Sequence, residues 1–128
     1  MSDIFVSYAR EDREVASRLS ARLKSEGWTV FWDSDLRTGD DWRKLVENEV
    51  KTACCVVVLW SKDSIGAHWV QEEAHVARER NVVLPALLGV SKPPFGFGGR
   101  QACNLTDWDG VAESAGLADL INEGLHLR

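Results

Sequence analysis

One stretch of the chain constrains its fold more than any other: residues 53–60 are apolar at all eight positions. This run is far shorter than the ~20 residues that a membrane-spanning helix needs, and the polar segment 61–64 follows it directly. A short apolar run bounded by turn residues is typical of a β-strand buried on both faces, as the central strands of parallel sheets are. We therefore expect a sheet centred on this strand, with helices covering both of its faces.

The segments on either side of this strand alternate between two periodicities. Short runs rich in β-forming residues predict strands at 4–8, 28–32, 82–88 and 102–105. Apolar residues at helical spacing predict helices at 12–26, 42–52, 68–80 and 111–125. Such alternation calls for parallel strands joined by helical crossovers. The predicted fold class is α/β: one domain over residues 1–128, with a single doubly wound, five-stranded parallel sheet of flavodoxin-like order 2-1-3-4-5 and helices on both faces.

Punctuating residues suggest where these elements begin and end. Asp12 is a plausible N-cap for the first helix, and Gly27 and Asn81 are natural stops for the first and third helices. Pro85 counts against the full length of the strand 82–88, because proline cannot donate to a sheet ladder. Residues 33–41, with four aspartates and one glycine, predict an exposed loop.

Composition excludes several classes of protein. Fifteen Lys and Arg against 20 Asp and Glu give a net charge of -5, without the basic excess of a protein that binds nucleic acid or anionic membranes. Three cysteines cannot build a disulfide framework, and the adjacent Cys54 and Cys55 are predicted to be buried in a strand, one on each face. With no charged-then-apolar leader at the start, we expect a cytoplasmic location.

The predicted topology says where a ligand would bind. In doubly wound sheets, ligands lie beyond the carboxyl ends of strands 1 and 3, where the direction of winding switches. Function is therefore sought in residues 8–11, 33–41 and 61–73.

The sequence patterns of several common site types are not matched in these segments. The loop from Asp33 begins like a calcium loop, but Thr38 stands where that loop needs glycine, and Lys44 where it needs glutamate. The three histidines have no obvious metal or nucleophile partners, so no metal site is expected. A receiver-type phosphorylation domain shares the topology, but it would need an acidic pair after strand 1, where this chain has Ser7 and Tyr8.

The remaining constellation is Trp69 with Glu73, four residues apart on a predicted helix. This spacing places both side chains on one helix face, at the rim of the expected cleft. The helix N-terminus there favours an ionised carboxylate. Spacing alone leaves two interpretations open: an aromatic plate and a carboxylate that act together, or a core-edge tryptophan beside a solvated glutamate.

At this point the chain resembles the TIR (Toll/interleukin-1 receptor homology) domains of the bacterial, NAD⁺-consuming type. The matching segments are 4–12 (IFVSYARED), 31–33 (FWD) with 36–40 (LRTGD), 56–64 (VVVLWSKDS) and 69–73 (WVQEE). They occur in the family's order, and the last contains its Trp-x-x-x-Glu motif.

The resemblance implies an enzyme that cleaves NAD⁺ between nicotinamide and ribose, forming ADP-ribose or a cyclic isomer. NAD⁺ would then be a substrate, and no cofactor is expected. By the same resemblance, Glu73 is the catalytic residue, Tyr8, Arg10, Asp33 and Leu36 border the nucleotide, and Trp69 forms an aromatic wall. Two interpretations of Arg10 remain open: its side chain contacts the pyrophosphate, or it is solvated. An electrostatic role for Glu73 needs an ionised carboxylate, with no raised pKa.

A second function remains open beside catalysis. Some members of the family are catalytically silent modules that signal through contacts between TIR domains, and these commonly lack the glutamate found here as Glu73. Both functions imply self-association through the loop 33–41, as a homo-oligomer or filament. The resemblance also suggests bacterial immunity against phage as the setting. No direct contact with nucleic acid or membrane is expected, because the chain lacks a basic excess.

Overall fold

The computed structural model describes residues 2–32, 40–94, 102–106, 108 and 115–127. Within them, a five-stranded sheet has the order β2-β1-β3-β4-β5, and every neighbouring pair of strands is parallel. The strands are β1 (Ile4–Ser7), β2 (Val30–Phe31), β3 (Cys55–Ser61), β4 (Val83–Leu88) and β5 (Cys103–Asn104). The predicted fold class and strand order are confirmed.

Three helices lie between successive strands: α1 (Arg13–Ser25) joins β1 to β2, α2 (Asp40–Thr52) joins β2 to β3, and α3 (His68–Glu79) joins β3 to β4. A fourth helix, α4 (Ala115–Leu127), follows β5, and a 3₁₀ turn, Arg10–Asp12, precedes α1. Gly27 and Asn81 follow α1 and α3 with φ of 96° and 60°, the left-handed conformation that ends a helix. None of the helices within the described residues is long and apolar enough to cross a membrane.

The core lies on both faces of β3, and all seven residues of that strand are buried. Cys55, Val57 and Leu59 pack on one face, with apolar residues of α1 and α4. Val56, Val58 and Trp60 pack on the other, with residues of α2 and α3. Each side chain that is fully buried in this way contributes roughly 1.5–3 kcal/mol, so β3 is the centre of the fold.

Pro85 lies inside β4 without interrupting it. On the β3 side, Val82 O accepts from Val56 N at 2.9 Å, and on the β5 side Leu87 O accepts from Leu105 N at 2.8 Å. Backbone groups alternate between the two sides of a parallel strand, so Pro85 faces β5. Pairing with β5 begins only at Ala86. Within the described residues the missing N–H therefore removes no ladder hydrogen bond, and β4 runs through Pro85 from Val83 to Leu88, close to the predicted span 82–88.

Two sequence predictions need correction at element starts. Asp40 and Asp41, assigned to the loop 33–41, belong to α2, while residues 33–39 lie outside the described residues. Cys55 is buried, but Cys54 is only partly buried and precedes β3. The reason is a backbone bend at which the N–H groups of both cysteines donate to Asp3 O, at 2.9 and 3.1 Å.

The close contact of α4 with β5 generates a stability prediction. A Cβ atom on Gly116, in the first turn of α4, would lie 1.8 Å from Asn104 O and 2.7 Å from Asn104 C. Both are backbone atoms of a paired strand and cannot move freely. We expect Gly116→Ala to lower the free energy of unfolding by about 1–3 kcal/mol, measured by urea denaturation.

Gly66→Ala is the matched control, because a Cβ atom there meets nothing within 4 Å. Its free energy of unfolding should stay within about 0.5 kcal/mol of wild type. Equal urea midpoints for the two variants would contradict the close packing of α4 on β5.

Candidate functional site

The candidate site lies where β1 and β3 end at the same edge of the sheet. Ser7, the last residue of β1, pairs with Val58, and β3 continues three residues further to Ser61. The helix α3 begins at His68, after the turn that follows β3. The topology thus brings the predicted segments 8–11 and 61–73 together at the switch point of the sheet.

Glu73 points from α3 toward the end of β1. The residues Val70, Ala74 and Ala77 of α3 face the sheet and are completely buried, which places Glu73 at the margin of this packed stripe. Ser7 Oγ donates a hydrogen bond of 2.6 Å to Glu73 Oε1. The carboxyl group is therefore held at the sheet edge by the last side chain of β1.

Burial changes the acidity of this carboxyl group. The pKa of Glu73 is raised from 4.5 to about 7, chiefly because burial disfavours the charged form. The hydrogen bond from Ser7 lowers the pKa, and the negative charge of Glu72 raises it further. An ionised carboxylate with no raised pKa was expected, whereas desolvation of Glu73 outweighs the hydrogen bond from Ser7 and raises the pKa.

Glu72, the neighbouring carboxylate, has a different environment. It lies about 100° around the helix from Glu73, its side chain is 67% exposed, and it meets His68 Nε2 at 2.9 Å. Of the two adjacent glutamates, only Glu73 is directed into the protein.

Trp69 lies one helical turn before Glu73, as the spacing predicts. Its indole Nε1 donates to Tyr8 O at 3.4 Å, while half of the residue (51%) stays exposed. Glu73 of the Trp-x-x-x-Glu pattern therefore bonds to the last residue of β1, and Trp69 of the pattern bonds to the residue after it. This arrangement gives a carboxyl group and an exposed aromatic surface side by side.

The side chain of Tyr8 packs elsewhere. It is buried in the cluster formed with α1 and α4, and its ring lies 6.3 Å from the ring of Trp32. The guanidinium of Arg13 lies over the other ring of this pair, 5.6 Å from the Trp32 centroid. Arg10, in the 3₁₀ turn, is exposed. Tyr8 thus contributes its carbonyl to Trp69, and Arg10 remains accessible from solvent.

A second polar cluster joins the 3₁₀ turn to the loop after β3. Ser61 Oγ donates to Asp12 Oδ2 and accepts from Ser64 N at 3.1 Å. Ser64 Oγ in turn accepts from Ser61 N at 2.7 Å and donates to Leu59 O at 2.7 Å. Asp12 stands at the N-cap position of α1 but makes no capping hydrogen bond with its side chain. Burial raises the pKa of Asp12, and the bond from Ser61 opposes that effect.

The structure adds some residues to the predicted set and leaves others undescribed. Ser7 and Ser61 were not singled out as site residues, although a hydroxyl at the end of an otherwise apolar strand is the signal that could have found them. Asp33 and Leu36 lie outside the described residues. In the part of the chain that is described, no three His, Cys, Asp or Glu side chains are grouped as a metal site would require.

Curated proteins of similar sequence are named as NAD⁺-consuming enzymes. The NAD(+) hydrolase TcpA of Theionarchaea archaeon (strain DG-70-1) is 33% identical over 97 residues, which cover 70% of this chain and 30% of that protein. The 2′ cyclic ADP-D-ribose synthase BtTIR of Bacteroides thetaiotaomicron is 31% identical over 97 residues, covering 70% and 34%. This chain thus spans about a third of the length of these two relatives.

Solved structures show the same fold. The TIR domain of the Toll-related Receptor TRR-2 from Hydra magnipapillata superposes with a TM-score of 0.72 at 19% identity, covering 84% of this chain and 86% of that one. The TIR domains of the activated Roq1 resistosome give a TM-score of 0.69 at 14% identity, covering 98% of each chain. A sequence model described as TIR domain matches residues 4–121. On this match and on the identity to the curated relatives, the chain belongs to the TIR domain family.

Proposed function

We propose that this domain is an NAD⁺ glycohydrolase or cyclase that cleaves the bond between nicotinamide and ribose. The products would be nicotinamide and either ADP-ribose or a cyclic ADP-ribose isomer. The observation that carries the proposal is the partly buried Glu73 carboxyl group, bonded to Ser7 at 2.6 Å, beside the exposed Trp69. The names of the curated relatives support the same reaction class.

The chemistry explains how so few groups could suffice. In NAD⁺ the nicotinamide is bonded to ribose as a cationic pyridinium, and it leaves as a neutral amine. Ordinary glycosidases need a general acid to protonate their leaving group, but this reaction does not. The demand on the protein is to stabilise the positive charge that develops on the ribose. A fixed carboxylate in a water-poor site does this effectively. We assign this role to Glu73.

A raised pKa is compatible with this role because the substrate is itself a cation. In the free protein, Glu73 is about half ionised near neutral pH, since its pKa is about 7. A pyridinium bound nearby favours the charged form of the carboxyl group and lowers its pKa. Substrate binding would then complete the ionisation of Glu73. The carboxylate would be paired with the positive charge of the pyridinium only in the complex.

The other predicted residues supply recognition. The exposed face of Trp69 offers a stacking surface to a planar ring of the substrate. Arg10 offers a positive charge for the pyrophosphate. Asp33, Leu36 and the backbone at Tyr8 are proposed to border the nucleotide. NAD⁺ is the substrate in this scheme, and the proposal needs no cofactor.

The alternative, a catalytically silent module that acts through TIR contacts, is weakened by the environment of Glu73. A partly buried carboxyl group with a raised pKa lowers stability at neutral pH, whereas glutamine could make the same hydrogen bond without a charge. An interaction module has no evident need for that arrangement. Incubation of concentrated protein with NAD⁺, followed by chromatography of the nucleotides, distinguishes the two functions.

We further propose that the domain works in bacterial immune signalling in the cytoplasm and is activated by self-association through residues 33–41. The basis of this proposal is that the chain belongs to the TIR domain family.

The first prediction from the proposed function concerns Glu73→Gln, which keeps the size and the hydrogen bond of the side chain but removes its charge. We expect loss of nearly all NAD⁺ cleavage. Stability should rise at pH 8, because wild type must there keep a buried carboxylate ionised. The raised pKa of Glu73 contributes stability that is complete below pH 4.5 and lost as the pH rises through about 7. The gain at pH 8 should be on the order of 2–3 kcal/mol, or several degrees in Tm, and should vanish near pH 4.5.

Glu72→Gln is the matched control, because the side chain is adjacent in sequence but exposed. It should keep most of the activity and show no stabilisation that grows with pH. NAD⁺ cleavage by Glu73→Gln at the wild-type rate would refute the catalytic assignment.

The second prediction separates the free protein from the complex. The pH dependence of kcat/KM reports ionisation in the free enzyme, and that of kcat reports ionisation in the complex. We expect kcat/KM to increase with pH to a plateau, with a midpoint near 7, the pKa of Glu73. The midpoint for kcat should lie at lower pH, because the bound cation stabilises the carboxylate. A kcat midpoint at higher pH than that of kcat/KM would argue against a cation beside Glu73.

The third prediction tests activation by self-association. If two domains share a site, specific activity rises with protein concentration, because the active fraction follows the association equilibrium. Leu36 is the only large apolar residue in the segment 33–41, so Leu36→Asp should lower activity and remove the concentration dependence. Flat specific activity over a hundredfold dilution, together with wild-type behaviour of Leu36→Asp, would identify a self-sufficient monomer.

A further inference from the structure

We propose that Ser7 is a positioning residue for Glu73: its hydroxyl group holds the carboxyl group against the end of β1 and stabilises the charged form. The inference deepens the proposed function and rests on it, since it concerns the residue to which that function assigns catalysis.

The position of Ser7 excludes direct contact with substrate. It is 1% exposed, and it is the last residue of a strand whose other three positions are the apolar Ile4, Phe5 and Val6. A hydroxyl group at a buried position loses its water and needs a partner inside the protein. Ser7 Oγ meets this need by donating to Glu73 Oε1 at 2.6 Å, within the short range typical of O–H···O⁻ bonds.

This bond also settles the direction in which Glu73 points. Trp69 is anchored separately, through Nε1 to Tyr8 O, one residue further along the chain from Ser7. Two consecutive residues at the end of β1 therefore hold the two motif side chains of α3. A glutamate side chain has three rotatable bonds, and without the contact to Ser7 its carboxyl group would be free to turn toward water.

The surrounding charges leave Ser7 with a particular electrostatic role. The strands that pack against α3, which are β1, β3 and β4, carry no charged residue. The described side chains of α2 include the charged residues Lys44, Glu47, Glu49 and Lys51, but none of them is a cause of the raised pKa of Glu73. Burial and the charge of Glu72 raise that pKa, and the bond from Ser7 opposes them.

The direction in which removal of the Ser7 hydroxyl group shifts the pKa of Glu73 can therefore be predicted. In Ser7→Ala, the charged form of Glu73 loses its donor, and the pKa of Glu73 should rise by on the order of one unit. A shift of that size lowers the ionised fraction at pH 7 roughly fivefold, and kcat/KM should fall by at least that factor. At pH 9 most of the ionisation loss should be recovered. A purely structural role would instead lower activity equally at all pH values.

Three further variants define the role of the hydroxyl group. Ser7→Thr retains the donor and should keep the wild-type pH profile. Ser7→Cys is similar in size but has only a weak S–H donor, so it should resemble Ser7→Ala. Ser20→Ala is the matched control, because Ser20 is equally buried, on α1, and its change should leave the pH profile unmoved.

The deciding experiment measures the ionisation of Glu73 independently of catalysis. The carboxyl group is titrated by NMR with ¹³C-labelled glutamate, its signal being identified by its absence in Glu73→Gln, and kcat/KM for NAD⁺ is measured over the same pH range. The inference predicts a midpoint near 7 in wild type, a higher one in Ser7→Ala and Ser7→Cys, and the wild-type value in Ser7→Thr and Ser20→Ala.

The two readouts separate the possible failures. An unchanged NMR midpoint in a folded Ser7→Ala protein, or a loss of activity that is uniform with pH, overturns the inference while leaving Glu73 as the catalytic residue. Absence of NAD⁺ cleavage by the wild-type protein refutes the proposed function. A shifted NMR midpoint in that same protein would still establish that Ser7 controls the ionisation of Glu73. If Ser7→Ala does not fold, the comparison of Ser7→Cys with Ser7→Thr decides.

Discussion

Burial of β3 on both faces is the constraint on which the rest of the structure depends. A strand without polar side chains until its last residue must be covered on both sides, and its seven residues are all buried. Covering both faces requires helical crossovers in both directions, hence a parallel, doubly wound sheet. That winding places the ends of β1 and β3 side by side, so the position of the candidate site follows from the burial of β3.

The same packing sets the chemistry of Glu73. The apolar stripe of α3 packs on the sheet, and this packing partly buries the neighbouring Glu73. Burial raises the pKa of Glu73 to about 7. The cost in stability is local and offset by the large core around β3. Such exchange of stability for reactivity is common at functional sites. It also gives the proposed reaction an electrostatic basis, because a poorly hydrated carboxylate stabilises a developing cation more strongly than a solvated one.

Local sequence signals were reliable where one element decides the outcome, and misleading where a partner decides it. Gly27 and Asn81 end their helices as predicted, because a left-handed residue acts on its own helix. Pro85 does not interrupt β4, because within the described residues the pairing of β4 with β5 begins one residue later, at Ala86. Asp12 is of a residue type that favours helix N-caps, yet its carboxylate bonds to Ser61, 49 residues away. No local pattern could reveal that partner.

The sequence by itself determined the fold class and the face of α3 that carries Trp69 and Glu73, since periodicity and helical spacing are local properties of the chain. The strand order followed from the usual topology of a five-stranded doubly wound sheet. Only the tertiary structure decided that Ser7 meets Glu73, that the carboxyl group is partly buried with a raised pKa, and that Trp69 is held by the Tyr8 carbonyl. These features join residues 61 and 66 positions apart. Their physical origin is desolvation and hydrogen bonding between elements, which depend on distances that a one-dimensional pattern does not contain.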